Sequence, residues 1–561
     1  MNPDRRAALA IPILLVLLSG VIRIVQLDHP DRIIFDETYY VNDARDYIKQ
    51  GVEEGFAVHP PVGKWLIAGG IAVFGDDSFG WRISGALAGT LTVLLTYLIG
   101  MRLFRARGAA AFAALLVSVD GLLFVQSRTS MLDIFLAMFV ALGAWLLLVD
   151  RDRTRLLDED DISTRRLARE DVETLEAEEA LIAGGSSDQP RPWSDDVPDT
   201  GPAPVPVPVA SQPHLDYQEW LAAQRPTQPH VPRVGHGIRL LAGVAFGLAC
   251  ATKWSGALAL AAAVVITITW ELAWRRRVTG AATRDLGPLA ASLVGAFVLI
   301  PLAVYFVSYT PWLVNYHDTT EGKKVCTEEE LEKGPCSVDP FGRVQGLIRY
   351  QKAIYNFHRD LEATHPYRSE AWKWPLLIRP VVYYYEGCDE KRASLTTAVT
   401  STNSEGEEEV DEPCVVGLSN AAEIIALGNP VVWWLGLLAM IPVLIGLWRG
   451  DQRAWFMFAF WVWQFAPWLL EDRPLFYFYM TPVVAFIGLI LGYTVVFLDE
   501  GRQERLRQGA VPVWAIAPGT LFGVIVSVLA VAMFLYFYPV YSGIELDYEL
   551  VRQHWWLKTW V

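Results

Sequence analysis

Long apolar runs separated by short polar stretches dominate the chain. A run of about 20 apolar residues is long enough to cross a bilayer as a helix. Leu, Val and Ala fill the runs without the alternation of a barrel strand, so helices are the expected spanning elements. The pattern predicts an all-α polytopic membrane protein with about eleven transmembrane helices. The runs lie at residues 7–27, 82–101, 108–126, 131–149, 238–256, 257–274, 286–308, 429–448, 453–470, 474–498 and 511–538.

Composition supports a membrane protein and excludes a nucleic-acid-binding one. The chain has 561 residues, of which 53% are hydrophobic and 12% aromatic, and its formal net charge is -15. No basic tract interleaved with aromatic residues is present, so we expect no nucleic-acid partner. Arg5 and Arg6 precede an apolar run that is longer than a signal peptide and has no small-residue cleavage site after it. We interpret this run as a retained first span.

Basic residues in the short loops predict the orientation. Arginine clusters occur in alternate polar stretches, which places them all on one side of the membrane with the N-terminus in the cytoplasm. We therefore expect a multi-pass plasma membrane protein. Its outer face would carry residues 28–81, the Ser127–Ser130 turn, the Lys253–Ser255 junction, residues 309–428 and the C-terminal tail. The polar motifs collect on that face, which makes it the expected side of the active site.

The polar stretches divide the chain into five parts. These are residues 1–149, an N-terminal membrane module; 150–236, an acidic and proline-rich cytoplasmic loop; 237–308, further membrane helices; 309–428, a large outer loop; and 429–561, C-terminal helices and an outer tail. Within the first part, residues 28–81 are too polar to span, so we expect helices that lie at the membrane interface. Residues 150–236 lack the apolar content to fold and are expected to be disordered, with a docking segment as the alternative.

Cysteines concentrate in the large outer loop. Four of the five, Cys326, Cys336, Cys388 and Cys414, lie within residues 309–428. An even number in an oxidising compartment favours two disulfides. We favour Cys326–Cys336 and Cys388–Cys414, because each closes a local loop, although other pairings are open. Their spacing does not match a structural zinc site.

An acid pair, Asp36-Glu37, follows the first span closely. Carboxylates at a membrane boundary are costly unless they do chemistry or meet a cation, but the pair alone would equally fit a solvated loop. Several cations are expected at the same outer rim, where each could also be a snorkelling side chain. They are Arg23, Lys64, Arg82, Arg128, Lys253 and Arg473. A carboxylate base facing cations suits the transfer of a sugar from a lipid phosphate to a hydroxyl group.

Three further residues belong to this picture. His59 could contact a phosphate or a peptide, or it could be fixed by its position before Pro60. Asp133 is expected to orient Arg128 through an ion pair. Asp120, in the middle of an apolar run, must face the protein interior.

The ordered motifs resemble those of the protein O-mannosyltransferases, and the layout is similar to the actinobacterial polyprenyl-phosphate-mannose–protein mannosyltransferases. The resemblance covers most of the chain outside residues 150–236. The motifs are Phe35-Asp36-Glu37, His59-Pro60-Pro61-Val62-Gly63-Lys64, Ser127–Asp133, Thr252–Gly256 and His365–Pro375.

The resemblance implies a GT-C glycosyltransferase that carries its site in the first outer loop. It implies inverting transfer of mannose from polyprenyl monophosphate mannose to Ser or Thr of secreted or membrane polypeptides, with acceptor delivery during export through the translocon as an option. Asp36 matches the catalytic acid of the family and Glu37 its substrate-binding neighbour. Arg23 and Arg82 match bordering arginines, and Arg82 would contact the phosphate. The resemblance implies no required cofactor or divalent metal, and the other expected partners are membrane lipids.

Two other functions fit parts of the pattern. The same architecture could move a lipid-linked sugar to a glycan or lipid acceptor. A transporter would place charges near the bilayer midplane and show internal repeats, whereas here the charges gather on one face without a repeat.

Residues 309–428 are too short and irregular for the sugar-binding-like β domain of the eukaryotic members.

Overall fold

A computed structural model describes most of the chain outside the predicted cytoplasmic loop. It covers residues 3–54, 58–153, 237–279, 282–283, 286–326, 338–362, 365–387, 399–402, 408–411, 420–507 and 517–560. The predicted disorder of residues 150–236 therefore lies almost entirely outside the described residues, as do Cys336, Cys388 and Cys414. Cys326 is disulfide-bonded, but both pairings stay predictions.

Helices follow the apolar runs of the N-terminal module. They span Pro3–Ile24, Glu37–Gln50, Val62–Phe74, Ser78–Phe104, Arg107–Ser118, Gly121–Arg128 and Leu132–Arg153. The run at 108–126 is broken into two helices that meet at 57°. Asp120 causes the break because its side chain accepts a hydrogen bond from Leu123 N and so starts a new helix. The same carboxylate accepts bonds from Asn429 N and Trp433 Nε1, so it faces the protein interior as predicted.

The remaining helices form the second half of the chain. They span Gly237–Cys250, Gly256–Thr279, Leu286–Ser308, Thr310–Val314, Thr320–Val325, Pro340–Arg359, Pro430–Leu438, Met440–Trp448, Gln452–Phe465, Val484–Arg507, Pro518–Ser542 and Tyr548–Gln553. Within Leu286–Ser308, residues Gly295–Leu299 are π-helical. Pro301 lies two residues after Leu299 and has no N–H to donate, which explains why the regular pattern of helical hydrogen bonds changes there.

Among the described residues, seven helical segments are long and apolar enough to cross a membrane, with Pro430–Trp448 counted as one, and the bent pair would make an eighth. The runs at 7–27, 238–256 and 453–470 fold as shorter helices or helices with polar ends. Each predicted run thus contains a helix, while the count of eleven spans stays a prediction. The first outer loop contains two helices, Glu37–Gln50 and Val62–Phe74, where interfacial helices were expected.

Contacts within the chain divide it into two compact units. The first consists of residues 1–150, 236–270 and 287–561, and the candidate site lies within it. The second consists of residues 151–235 and 271–286. Its described part is mostly the end of the helix Gly256–Thr279, where Glu271 and Arg275 form an ion pair one turn apart.

Five short strands were not predicted. Strands β1 (Val381–Glu386) and β4 (Asn420–Ala426) pair antiparallel, and β5 (Leu546–Asp547) joins β4. Strands β2 (Val399–Thr402) and β3 (Glu408–Asp411) form a separate hairpin. The fold is therefore mainly helical rather than purely so. The β1–β4 pairing joins segments far apart in sequence, so no local turn signal marks it.

The large outer loop also packs on the first outer loop. Val52 belongs to a buried cluster with Trp312, Tyr316, Tyr350 and Ile354. The helix Pro340–Arg359, called here the outer-loop helix, contributes Tyr350 and Ile354. This cluster brings residues from both loops to the same side of the candidate site.

Candidate active site

Asp36 lies at the start of the helix Glu37–Gln50 and lines a cavity of about 430 Å³. The preceding residue, Phe35, has a φ of 50°. That conformation costs a residue with a β-carbon about 1–3 kcal/mol, so packing must hold it. Phe35 stacks on Tyr383 of β1 with ring centroids 4.3 Å apart, and Phe478 meets it edge-on at 5.9 Å. These rings fix the bend that carries Asp36 to the cavity.

Glu37 turns away from the cavity and forms a buried ion pair with Arg82. Both side chains are fully buried. Arg82 donates from Nε to Glu37 Oε1 at 2.8 Å and from Nη2 to Oε2 at 2.9 Å. The backbone N–H groups of Ile34 and Ser130 also donate to Glu37, each at 3.0 Å. The carboxylate is thus held by four donors from this chain.

The remaining N–H groups of Arg82 donate to backbone carbonyls. It bonds Leu27 O and Pro30 O through Nη1, and Arg32 O through Nη2. All five N–H groups of the guanidinium therefore have acceptors within the protein. The structure places Arg82 and Glu37 where they brace the loop before Asp36, and neither lines the cavity. The expected contacts of Arg82 with phosphate and of Glu37 with substrate stay predictions.

Arg128 and Arg23 are also held inside the protein. Arg128 donates to the carbonyls of Arg23, Val25 and Gln26, at the end of the first helix. Arg23 donates to both oxygens of Ser19 and to Ser118 O. Neither lines the cavity beside Asp36. These bonds hold the end of the first helix in place, and the expected role of both arginines in substrate binding stays a prediction.

Lys253 does line the cavity. Its Nζ lies 2.8 and 3.0 Å from the two carboxylate oxygens of Asp133 and 4.7 Å from the ring centre of Tyr479. The expectation that Asp133 orients Arg128 is therefore wrong, because Asp133 pairs with Lys253. The helix break at residues 129–131 turns Asp133 towards the loop Thr252–Ser255 instead.

Lys64 lines the same cavity but is neutralised by two acids. Its Nζ lies 2.8 Å from Asp43 and 2.5 Å from Glu53. Glu53 also accepts a hydrogen bond from Tyr350 of the outer-loop helix. Burial raises the pKa of Asp43 to about 6, and Lys64 opposes that rise. Burial alone would lower the pKa of Lys64, but Glu53 and Asp43 raise it above its ordinary value. This cluster ties the two outer loops together.

Two histidines and an arginine also line the cavity. His59 and His358 stack with ring centroids 5.3 Å apart, and burial lowers the pKa of both imidazoles. Arg473 lies over the rings of Trp468 and Tyr479, and its nearest acid, Glu471, is 4.0 Å away. His358 was missed, because a lone histidine in a polar loop gives no signal. Arg473 was one of the cations expected at the outer rim.

The environment of Asp36 suits a general base. Burial raises the pKa of this carboxyl to about 6, Lys253 lowers it, and Asp133 raises it. Lys253 and Arg473 lie on the same cavity wall, where they can offset the charge of an anion. A second cavity of about 400 Å³ shares Lys253, His59 and Arg473 and reaches Leu258 in a predicted span. The arrangement combines a proton acceptor, cations and a path towards the apolar helices.

A metal site is not evident in the part of the chain that the structure describes. No three His, Cys, Asp or Glu side chains within it come close enough to hold an ion. The cations around Asp36 are instead arginine and lysine side chains.

Two family models match separate regions of the chain. Residues 58–157 match the dolichyl-phosphate-mannose-protein mannosyltransferase family, and residues 343–560 match the C-terminal four-transmembrane region of protein O-mannosyltransferase. Together these regions make up more than half of the chain.

Curated relatives align over almost the full length. The polyprenol-phosphate-mannose–protein mannosyltransferases of Mycolicibacterium smegmatis strain MKD8 and Mycobacterium tuberculosis strain H37Rv are each 29% identical, over 99% of this chain and 94% and 92% of theirs. The enzyme of the same name from Corynebacterium glutamicum is 27% identical over 94% of this chain and 88% of its own.

A solved structure shares the fold. One chain of the Saccharomyces cerevisiae protein O-mannosyltransferase Pmt1-Pmt2 complex, solved with its sugar donor, superposes with a TM-score of 0.65 at 14% identity. The match covers 98% of this chain and 92% of that one. The GT-C fold expected from the sequence motifs is confirmed, and with it a multi-pass membrane protein.

Proposed function

Because this chain belongs to the protein O-mannosyltransferase family, we propose that it transfers mannose from polyprenyl monophosphate mannose to Ser or Thr hydroxyls of polypeptides, with inversion at the sugar carbon. The observation that carries the proposal is the cavity that Asp36 shares with Lys253 and Arg473. The orientation predicted from loop charges places this cavity on the extracytoplasmic side. Acceptors would then be secreted or membrane polypeptides, reached during or after export.

Asp36 acts as the base in the proposed reaction. Its carboxylate takes the proton of the acceptor hydroxyl while that oxygen bonds to the anomeric carbon. The bond from this carbon to the phosphate oxygen breaks, and its electron pair leaves with the lipid phosphate. A phosphate monoester is a good leaving group, so the reaction needs no separate general acid.

Lys253 and Arg473 hold the departing phosphate. Both pack against the Tyr479 ring, which covers one side of each cation. Lys253 also donates to both carboxylate oxygens of Asp133, so it reaches the cavity already paired with an acid, and Arg473 brings the less strongly paired charge. Charge that develops on the phosphate during transfer is stabilised by such preplaced donors. Arg82 has a different role here: through Glu37 it fixes the loop that carries Asp36, so it is a positioning residue.

Membranes that contain the chain, a labelled polyprenyl-phosphate mannose and a Ser/Thr-rich peptide test the proposal. We expect label in the peptide, and we expect Asp36→Asn to abolish its incorporation. Asp28→Asn is the matched control, because Asp28 is an exposed acid of the same loop that does not line the cavity.

The test also separates the competing acceptors. Label that enters a glycan or lipid fraction but never the peptide would replace the acceptor proposed here. Near wild-type transfer by Asp36→Asn would refute the assignment of the base.

A further inference from the structure

The outer-loop helix, Pro340–Arg359, has two apolar faces. One carries Leu347, Tyr350 and Ile354, which are buried against the rest of the protein. A second stripe is exposed and consists of Phe341, Val344, Ile348 and Tyr355, which are 68%, 43%, 61% and 54% exposed. At 3.6 residues per turn these four lie on one sector, about a third of a turn from the buried face. Water is an unfavourable environment for such a stripe.

Polar residues border the exposed stripe on its other side. Gln345, Arg349 and Lys352 are exposed there. The helix has four Arg or Lys residues and no acidic one. Arg349 and Arg359 pair with the neighbouring acids Glu321 and Asp360. A helix with an apolar stripe beside a basic sector is typical of segments that lie in the membrane interface.

The stripe lies next to a predicted span that is largely exposed. The span Leu286–Ser308 is exposed along most of its length, and Phe306 and Val307 near its outer end are 53% and 67% exposed. Arg343 joins the start of the outer-loop helix to the segment after this span by donating to Leu313 O at 2.9 Å. Tyr305 in the span donates to Gln351 Oε1 at 2.6 Å.

We propose that the outer-loop helix lies in the outer leaflet of the bilayer that the chain spans, with Phe341, Val344, Ile348 and Tyr355 among the lipid headgroups and upper acyl chains. The continuity of the stripe with the lipid-facing span selects lipid as the occupant. A second copy of the chain would have to cover both surfaces at once.

The proposal has a consequence for the cavity beside Asp36. Tyr355, His358 and Arg359 of this helix line the second cavity, which Lys253 and Arg473 also line. A helix anchored at the headgroup level keeps this opening at the depth where the phosphate of a membrane lipid lies. This consequence rests on the proposed function, whereas the position of the helix does not.

Fluorescent labels on the full-length chain test the position of the helix. Ile348→Cys and Gln345→Cys carry an environment-sensitive nitrobenzoxadiazole label, in nanodiscs of phosphatidylcholine and phosphatidylglycerol with one chain per disc. The chain without an added cysteine corrects for labelling of its native cysteines. We expect the label at 348 to emit at shorter wavelength, to be quenched by doxyl-labelled lipid, and to be quenched by iodide several-fold less than the label at 345.

Each other outcome overturns the proposal. Equal quenching by iodide at the two positions would mean that the stripe faces water. Protection at 348 only in discs that hold two chains would assign the stripe to a contact between copies. A label at Phe341→Cys repeats the measurement on the same face of the helix, two turns away from residue 348. Because no readout uses mannose transfer, the result stands apart from the proposed function.

Discussion

The buried pair of Glu37 and Arg82 gives the sharpest prediction. The family resemblance assigns Arg82 to the phosphate, whereas the structure uses its donors to brace the loop before Asp36. If the two residues act as one brace, Glu37→Gln and Arg82→Gln should impair transfer to a similar extent. The double variant should be little worse than either single one.

The structure sets the scale of the loss. Arg82→Gln removes the cation from a fully buried carboxylate and leaves carbonyls of Leu27, Pro30 and Arg32 without their donor. Breaking a buried pair in this way costs about 3–5 kcal/mol of stability. A displacement of about 1 Å at a catalytic group can lower the rate about 10²-fold. We therefore expect each single variant to lose about 10²-fold in kcat, with little change in the KM for the donor.

The assay is a double-mutant cycle on transfer, measured on protein that elutes as a single folded species. The control pair is Arg45 and Asp76, an ion pair 3.0 Å apart in the same outer loop that is partly exposed. Exposed pairs contribute about 0–1 kcal/mol, so Arg45→Gln should leave transfer nearly unchanged.

A different result would refute the brace. If Arg82 holds the phosphate, Arg82→Gln should raise the KM for the donor while Glu37→Gln does not. The losses would then multiply to about 10⁴-fold in the double variant, as for residues that act independently. Such a cycle would restore Arg82 to the role that the sequence motifs imply.

Four further predictions concern the cavity and its support. Burial raises the pKa of Asp36 to about 6, and only the ionised carboxylate can accept a proton. The value of kcat/KM should therefore rise with pH through about 6 and level off above it. A flat profile from pH 5 to 8 would contradict the assignment of Asp36 as the base. Arg473→Met should raise the KM for the donor several-fold, whereas Lys373→Met, at a nearby cation outside the cavity beside Asp36, should not. Lys64→Met leaves two buried carboxylates without their cation and should lower the unfolding temperature of the protein far more than Tyr350→Phe, which removes one hydrogen bond. Transfer should persist in excess chelator, because the proposed reaction uses the Asp36 carboxylate as base and side-chain cations for the phosphate; loss of transfer that Mg²⁺ or Mn²⁺ restores would contradict this.

Much of the fold could be predicted because a membrane helix can be recognised from the length and composition of its apolar run. Each long apolar run contains a helix. The break at Asp120 was not predicted, since it depends on a side chain that caps a helix inside an apolar run. The β1–β4 pairing was missed for a related reason. Val381 pairs with Ala426, which is far away in sequence, and local sequence patterns do not predict such pairings.

The site was only partly predictable. Asp36 could be chosen because a carboxylate at a membrane boundary is costly unless it does chemistry or meets a cation. The structure shows that Asp36 lines the cavity. Glu37 is adjacent in sequence but belongs to the interior. One helical residue turns the side chain by about 100°, so neighbours at the start of a helix face different surroundings. The partner of Asp133 could not be predicted either, because the helix break that turns it towards Lys253 is a property of the packed structure.

The arginines and lysines near the site fall into two groups: those whose N–H groups bind the protein and those whose N–H groups face the cavity. The sequence does not show to which group a residue belongs. An arginine at the edge of a bilayer can stabilise the fold by binding carbonyls where helices end, as Arg82 and Arg128 do. A cation that binds a ligand must stay charged in a cavity, and its N–H groups must not all be bonded to acceptors of the protein. Packing Arg473 against the ring of Tyr479 meets that need, since an aromatic face attracts the charge but accepts no strong hydrogen bond. Lys253 packs on the same ring but also donates to Asp133. By this argument Tyr479→Leu should weaken donor binding although Tyr479 carries no charge, while Tyr479→Phe, which keeps the ring, should bind nearly as well. Equal donor KM values for the Leu and Phe variants would show that the ring does not hold the cations in place.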